Sequence, residues 1–114
     1  MDRITIITTS VMGICMGLSL KQYGLNNTEV IGSSNNHSLL KSAIEIGAFD
    51  KTSSTLKSAV KNAGLIIIDM PLTDTGNLIK TLSPLLQKEC VVTDTGTNKL
   101  QVLNWAKQHM PPNA

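Results

Sequence analysis

The chain is predicted to be an α/β protein: a doubly wound, mainly parallel sheet with helices on both faces. Three observations predict this. Short aliphatic runs alternate with segments of helical length, as in stacked βαβ units. The chain is 41% hydrophobic but only 3% aromatic, so Ile, Leu, Val, Ala and Met must fill its core, which suits a parallel sheet covered by helices. The first aliphatic run also passes directly into a turn and a helix, the unit that opens such sheets. At 114 residues there is room for one domain with a real core.

The elements follow in order. Arg3 to Thr8 reads as the first strand, and Met12 to Tyr23 as a helix stopped by Gly24. Glu29 to Gly32 is a second, brief strand. Asn36 is the expected N-cap of a helix through Ile46, closed by Gly47, with Leu39, Leu40, Ala43 and Ile44 on its inner face. Ala48-Phe49-Asp50 supplies a stub of strand. Ser54 is expected to cap a short helix carrying Leu56, Ala59, Val60 and Ala63. Gly64 to Asp69 is an unbroken aliphatic run, expected to be central and buried on both sides. Pro71 ends it. Thr73 or Asp74 should cap a helix to about Gln87, which Pro84 kinks or divides. Cys90 to Asp94 is the next strand and Asn98 to His109 the last helix.

Composition excludes several classes. A net charge of +2, with ten basic residues spread along the chain, gives no stripe to follow a phosphate backbone, so no nucleic-acid partner is expected. Scarce aromatics argue against base-stacking platforms. The apolar stretch from Ile4 to Leu20 is broken by Thr5, Thr8, Thr9 and Ser10 and has no cleavage site after it. No other run nears the roughly 18 residues of a membrane span, so a cytoplasmic protein without a membrane partner is expected. Cys15 and Cys90 read as free, buried thiols, and the scattered Cys and His residues suggest no metal site.

In such a sheet the ligand crevice lies beyond the carboxyl ends of the strands. That gathers residues 8–13, 33–36, 69–75 and 94–99 around one mouth. The first turn is Thr8-Thr9-Ser10-Val11-Met12-Gly13. A dinucleotide fingerprint has three glycines, for a tight turn, for approach of the pyrophosphate and for helix packing. Here Thr8, Ser10 and Gly13 hold those places, so only the packing glycine is present. The helix N-terminus still offers N–H groups to an anion, and the hydroxyls could add donors. After the second strand, Ser33-Ser34-Asn35-Asn36-His37 has no carboxylate to grip a ribose 2′-hydroxyl, which tilts the choice between NAD and NADP toward NADP. Met70, Pro71 and Leu72 are placed to flank a nicotinamide ring. Thr95 and Gly96 complete the mouth, with Thr97 as a hydroxyl at the start of the last helix, where it would also serve as a plain N-cap. Asp69 has no assigned role at this level.

Ile4 to Ile7 with its turn, residues 44–50 (Ile-Glu-Ile-Gly-Ala-Phe-Asp), residues 65–71 (Leu-Ile-Ile-Ile-Asp-Met-Pro) and residues 91–99 (Val-Val-Thr-Asp-Thr-Gly-Thr-Asn-Lys) resemble the prephenate/arogenate dehydrogenases. The last of these resembles that family's Asp-x-Gly-Ser-x-Lys segment. The resemblance covers essentially the whole chain. It implies that residues 1–114 form the NAD(P)-binding Rossmann-like domain of an oxidoreductase of tyrosine, hence aromatic amino acid, biosynthesis. The implied reaction is oxidative decarboxylation of prephenate or arogenate by hydride transfer to NAD(P). It also implies a catalytic role for Thr97, in place of the family's serine near nicotinamide and substrate. The family's catalytic histidine belongs to a Gly-His-Pro segment that His109 does not match. That segment and a helical second domain, which dimerises and completes the substrate pocket, are expected beyond residue 114. Two other readings remain open: a stand-alone nucleotide-binding or regulatory module, and a domain of another dehydrogenase, of β-hydroxyacid or pyrroline-carboxylate type.

Overall fold

The computed structural model describes residues 3–22, 27–96 and 99–111. Five strands, β1 (Arg3–Thr8), β2 (Glu29–Ser33), β3 (Lys51–Ser53), β4 (Leu65–Asp69) and β5 (Val91–Asp94), form one sheet in the order β3-β2-β1-β4-β5. Every pairing is parallel. Five helices connect them: α1 (Val11–Gln22), α2 (His37–Glu45), α3 (Leu56–Val60), α4 (Leu72–Leu82) and α5 (Lys99–His109). The chain winds outward from β1 to β3, then crosses back to β4 on the other side of β1. The strand order therefore reverses between β1 and β4, and the crevice of such a sheet opens there.

Each face of the sheet has its own core. Ile4, Ile6 and Val30 pack with Ile14 of α1, Leu40 and Ala43 of α2, and Phe49. Ile7, Ile66 and Ile68 pack with Val60, Ile79, Leu82 and Cys90 on the opposite face. Helices on both faces leave β1 buried along its length after Arg3. The long run of β4 is less deeply placed than its composition suggests: Leu65, Ile67 and Asp69 are only half-buried while Ile66 and Ile68 are buried. The reason lies beside it, because Val91 of the edge strand β5 is 51% exposed on that same face.

Local chemistry sets the boundaries. Asn36 caps α2 as expected, its Oδ1 accepting from the Leu39 N–H at 3.0 Å. Gly47, at φ +80°, closes that helix with paired bonds from Gly47 N to Ile44 O and from Ala48 N to Ala43 O, a Schellman motif. Several boundaries differ from expectation. Ala48-Phe49-Asp50 is not a strand, because the Phe49 ring turns inward onto Gly32 and Gly17, where any Cβ would collide with it; β3 begins only at Lys51. Thr55, not Ser54, caps α3. Neither Thr73 nor Asp74 caps α4: Pro71 stands at the cap without a side-chain bond, and its carbonyl accepts from Asp74 N and Thr75 N. That helix ends at Leu82 in a 3-10 turn over Ser83–Leu85, so Pro84 divides it. Helix α1 already includes Val11. Cys15 is exposed rather than buried, while Cys90 is buried and burial pushes its thiol pKa up; both are free.

Candidate functional site

The strand ends set out a rim of polar residues: Thr8, Ser33, Ser53, Asp69 and Asp94 close β1 to β5 in turn. In the registers, Thr8 lies opposite Asp69 and Ile7 opposite Ser33. Thr8 and Asp69 therefore face each other at the point where the strand order reverses.

Between these strand ends lies a crevice of about 300 Å³. Thr8 and Thr9 contribute from the first turn, Ser33, Ser34 and Asn35 from the end of β2, and Met70, Asp74 and Asn77 from the β4–α4 side. The sequence-predicted residues Thr8, Thr9, Ser34, Asn35 and Met70 thus share one wall-to-wall space. Pro71 and Leu72 do not line it; both are exposed where the chain turns into α4. Asp74, which the sequence placed in the 69–75 mouth segment and offered as a helix cap, lines the crevice and is the one charged residue among its described lining groups. A larger, mostly apolar cavity of about 530 Å³ lies between β5 and α5, bounded by Ile68, Val92, Val102 and Met110. It holds none of the turn residues.

The first turn is shaped by its own hydroxyls. Ser10 stands just before α1, and its Oγ accepts from the Met12 N–H at 3.2 Å, satisfying one of the donors a helix start leaves open. The Ser10 carbonyl accepts from Gly13 N at 3.2 Å. Thr8 Oγ1 accepts from Ser10 N at 3.0 Å. Gly13 is required by packing: a Cβ there would fall 2.4 Å from the Thr8 side chain, so it fills the helix-packing place of the fingerprint. Val11 and Met12 are 64% and 57% exposed at the lip of the turn.

Asp69 gathers this turn around a carboxylate. Its Oδ2 accepts from Thr8 Oγ1 at 2.8 Å and from Ser10 Oγ at 2.7 Å, and its Oδ1 accepts from Thr95 Oγ1 at 2.9 Å. Burial acts to raise its pKa, but hydrogen bonds from Ser10, Thr8, Thr95 and the Gly13 N–H outweigh that and hold it below the ordinary carboxylate value. Of the turn hydroxyls expected to face an incoming anion, those of Thr8 and Ser10 therefore already donate to one within the chain. No sequence motif announces this, because the partners stand 61, 59 and 26 residues away and meet only through the parallel register. On the far side of Thr95, Asp94 Oδ1 accepts from Gly96 N at 3.1 Å. A Cβ on Gly96 would make only ordinary contact with Asp94, so packing among the described residues does not demand this glycine. Thr97 lies outside the described residues. Among the described residues no cluster of metal-binding side chains occurs, and no helix is long and apolar enough to cross a membrane.

A parallel sheet reversing at β1 and β4, with a polar crevice at the reversal and a helix starting from its first turn, defines a Rossmann-like nucleotide-binding domain. The comparisons with known proteins agree. A family model described as "Prephenate dehydrogenase, nucleotide-binding domain" matches residues 16–114, and the chain belongs to that family. Prephenate dehydrogenase of Bacillus subtilis (strain 168) is 25% identical over 111 residues, covering 96% of this chain and 30% of that protein. Among solved structures, prephenate dehydrogenase from A. aeolicus in complex with hydroxyphenyl propionate and NAD+ superposes with a TM-score of 0.80 at 19% identity, over 96% of this chain and 40% of the other. Synechocystis arogenate dehydrogenase gives a TM-score of 0.82 at 23% identity, over 93% and 37%. The chain thus spans well under half the length of these relatives.

Proposed function

We propose that the chain is the cofactor domain of an NAD(P)-dependent oxidoreductase that decarboxylates prephenate or arogenate oxidatively. The observation that carries this reading is the crevice at the β1/β4 reversal, with hydroxyl and amide groups at the end of β2 and an apolar residue, Met70, opposite. Ser34 and Asn35 would hold the adenosine ribose and Met70 with Leu78 would pack beside the base. Met12 and Gly13, at the start of α1, would lie nearest the diphosphate. Thr95 and Gly96 would border the nicotinamide half, and Thr97 is the catalytic hydroxyl we propose from the resemblance of residues 91–99 to the family's segment. When bound, the nicotinamide supplies the hydride acceptor; this domain's part is to hold and orient it.

The residues fit the two halves of a dinucleotide unequally. The crevice after β2 suits an adenosine moiety, whereas the first turn meets a diphosphate with side-chain carbons and a carboxylate. NADP is the form we propose, because no carboxylate follows β2 to repel a 2′-phosphate, although Asp74 on α4 sets one negative charge across the crevice. Protein NMR with NAD+ and NADP+ at millimolar concentration tests the reading. Amide shifts clustered at Ser33–Asn35, Met70 and Asn77 are expected, larger with NADP+. Shifts confined to the opposite rim, near Glu29 and Asp50, would overturn it.

The substrate, a catalytic histidine segment and a dimerising helical domain belong to the proposed longer protein in which this domain works, in the cytoplasm. The 114-residue chain alone is expected to show no turnover of prephenate or arogenate. Measurable NADH or NADPH formation from either acid would contradict that division of labour.

A further inference from the structure

The turn contains a resident anion. We propose that Asp69 determines ligand specificity at this site: its carboxylate holds the phosphate-binding turn and selects against the diphosphate, so the crevice takes an uncharged nucleoside more readily than a dinucleotide. This rests on the nucleotide-binding reading above and deepens it.

Four features of the structure support the inference. The carboxylate lies on the turn itself, bonded to Thr8 and Ser10, the two residues that stand where the fingerprint has its tight-turn and pyrophosphate-approach glycines. Several donors that an anion would use are engaged: Met12 N bonds Ser10 Oγ, Gly13 N bonds the Ser10 carbonyl, and the Thr95 hydroxyl bonds Asp69 Oδ1. Among the described residues, the groups holding the carboxylate are neutral hydroxyls and backbone N–H, which solvate its charge without cancelling it. Finally, no lysine or arginine stands among the described residues lining the crevice, and its one charge, Asp74, is also negative. A diphosphate at the start of α1 meets the Asp69 carboxylate behind Ser10, while the adjoining crevice carries Asp74 and no cation among its described lining residues, and like charges at close range disfavour binding strongly. An adenosine lacking phosphates meets only the hydroxyls, amides and apolar wall of the crevice.

The three-residue contact also explains why two glycines are dispensable. Thr8 and Ser10 supply hydroxyls that solvate Asp69, and glycines in their places would leave that carboxylate with the Thr95 hydroxyl as its only side-chain donor among the described residues.

Titration calorimetry of the full chain and of Asp69→Asn with NAD+ and with adenosine tests this. Asparagine keeps an acceptor for the hydroxyls and removes the charge. NAD+ affinity is expected to rise by about tenfold in the variant while adenosine affinity changes by less than about twofold. A NAD+ gain below about threefold, or an equal gain for adenosine, overturns the assignment of Asp69 and leaves the nucleotide-binding reading standing. Failure of both ligands to bind either protein overturns both. Thermal melts establish that the variant is folded, and Asp69→Ser, which also removes the charge and keeps a hydroxyl, carries the same expectations if asparagine is not tolerated.

Discussion

Asp50 and Asp69 sit at opposite ends of the same sheet, and both are held below the ordinary carboxylate pKa by quite different partners. Asp50 lies at the amino-terminal rim. Burial would raise its pKa, but the Lys21 ammonium at 2.7 Å and the Val30 N–H at 2.8 Å outweigh it, with Lys51 adding a favourable charge. Around it, Glu29 pairs with Arg3 at 3.2 Å and with Lys51 at 3.1 Å, so that rim balances its charges in a network. Asp69, at the carboxyl-terminal rim, has only neutral donors among the described residues. One aspartate is neutralised and serves the fold; the other keeps a net charge where a ligand would arrive. Equal pKa directions therefore conceal opposite roles, and the partner's charge is what separates them.

The comparison can be broken in several ways, starting with the largest effect. Phe49 anchors the rim beside Asp50, its ring against Gly17 and Gly32 and only 3% exposed. Phe49→Ala is expected to cost about 3–5 kcal/mol in urea unfolding. A loss below about 1 kcal/mol would show that this rim does not depend on the aromatic contact. Asp50→Ala removes the Lys21 pair and leaves the Val30 N–H without its acceptor, an expected loss of about 1–3 kcal/mol at neutral pH. Because the Asp50 pKa is depressed on folding, its contribution is complete above the ordinary carboxylate value of 3.8 and fades as pH falls through the folded value. The stability curves of native and variant chains should therefore converge in acid; a constant gap would assign the loss to packing instead. Ligand affinity should be unchanged by this substitution, in contrast to Asp69→Asn.

Thr95→Val should have the smallest effect on stability, about 0.5–1.5 kcal/mol or less, since the residue is exposed. It deletes the hydroxyl donor to Asp69 Oδ1, so the Asp69 pKa should move upward toward its ordinary value, as read from the carboxyl carbon in an NMR titration. No upward movement would show that Thr95 does not help to hold the charge.

What was legible in the sequence followed from short-range rules. The aliphatic runs of β1 and β4, the Asn36 cap and the Gly47 stop each depend on residues a few positions apart, and the structure bears them out. The fold class and the family resemblance were also legible. The misplaced elements had long-range causes. β3 slid past Ala48-Phe49-Asp50 because the Phe49 ring is captured by glycines 17 and 32 positions into the chain. The half-buried face of β4 reflects what stands next to it on β5, which no local run encodes. The Asp69 cluster was illegible for the same reason. Thr8, Ser10 and Thr95 are unremarkable apart, and only the β1·β4 and β4·β5 registers bring their hydroxyls to one carboxylate. The thinned glycine motif suggested a weaker phosphate site, but the anion already resident there became visible only in three dimensions.

The most direct measurement is the ratio of ADP to adenosine affinity for the native chain at low salt. A phosphate-binding turn of the usual kind makes ADP the much tighter ligand, because the helix start and its N–H groups favour the anion. With Asp69 in place, adenosine is expected to bind at least as tightly as ADP. ADP binding tighter than adenosine by about tenfold or more would contradict the account, since the turn would then be attracting the diphosphate it is held to exclude.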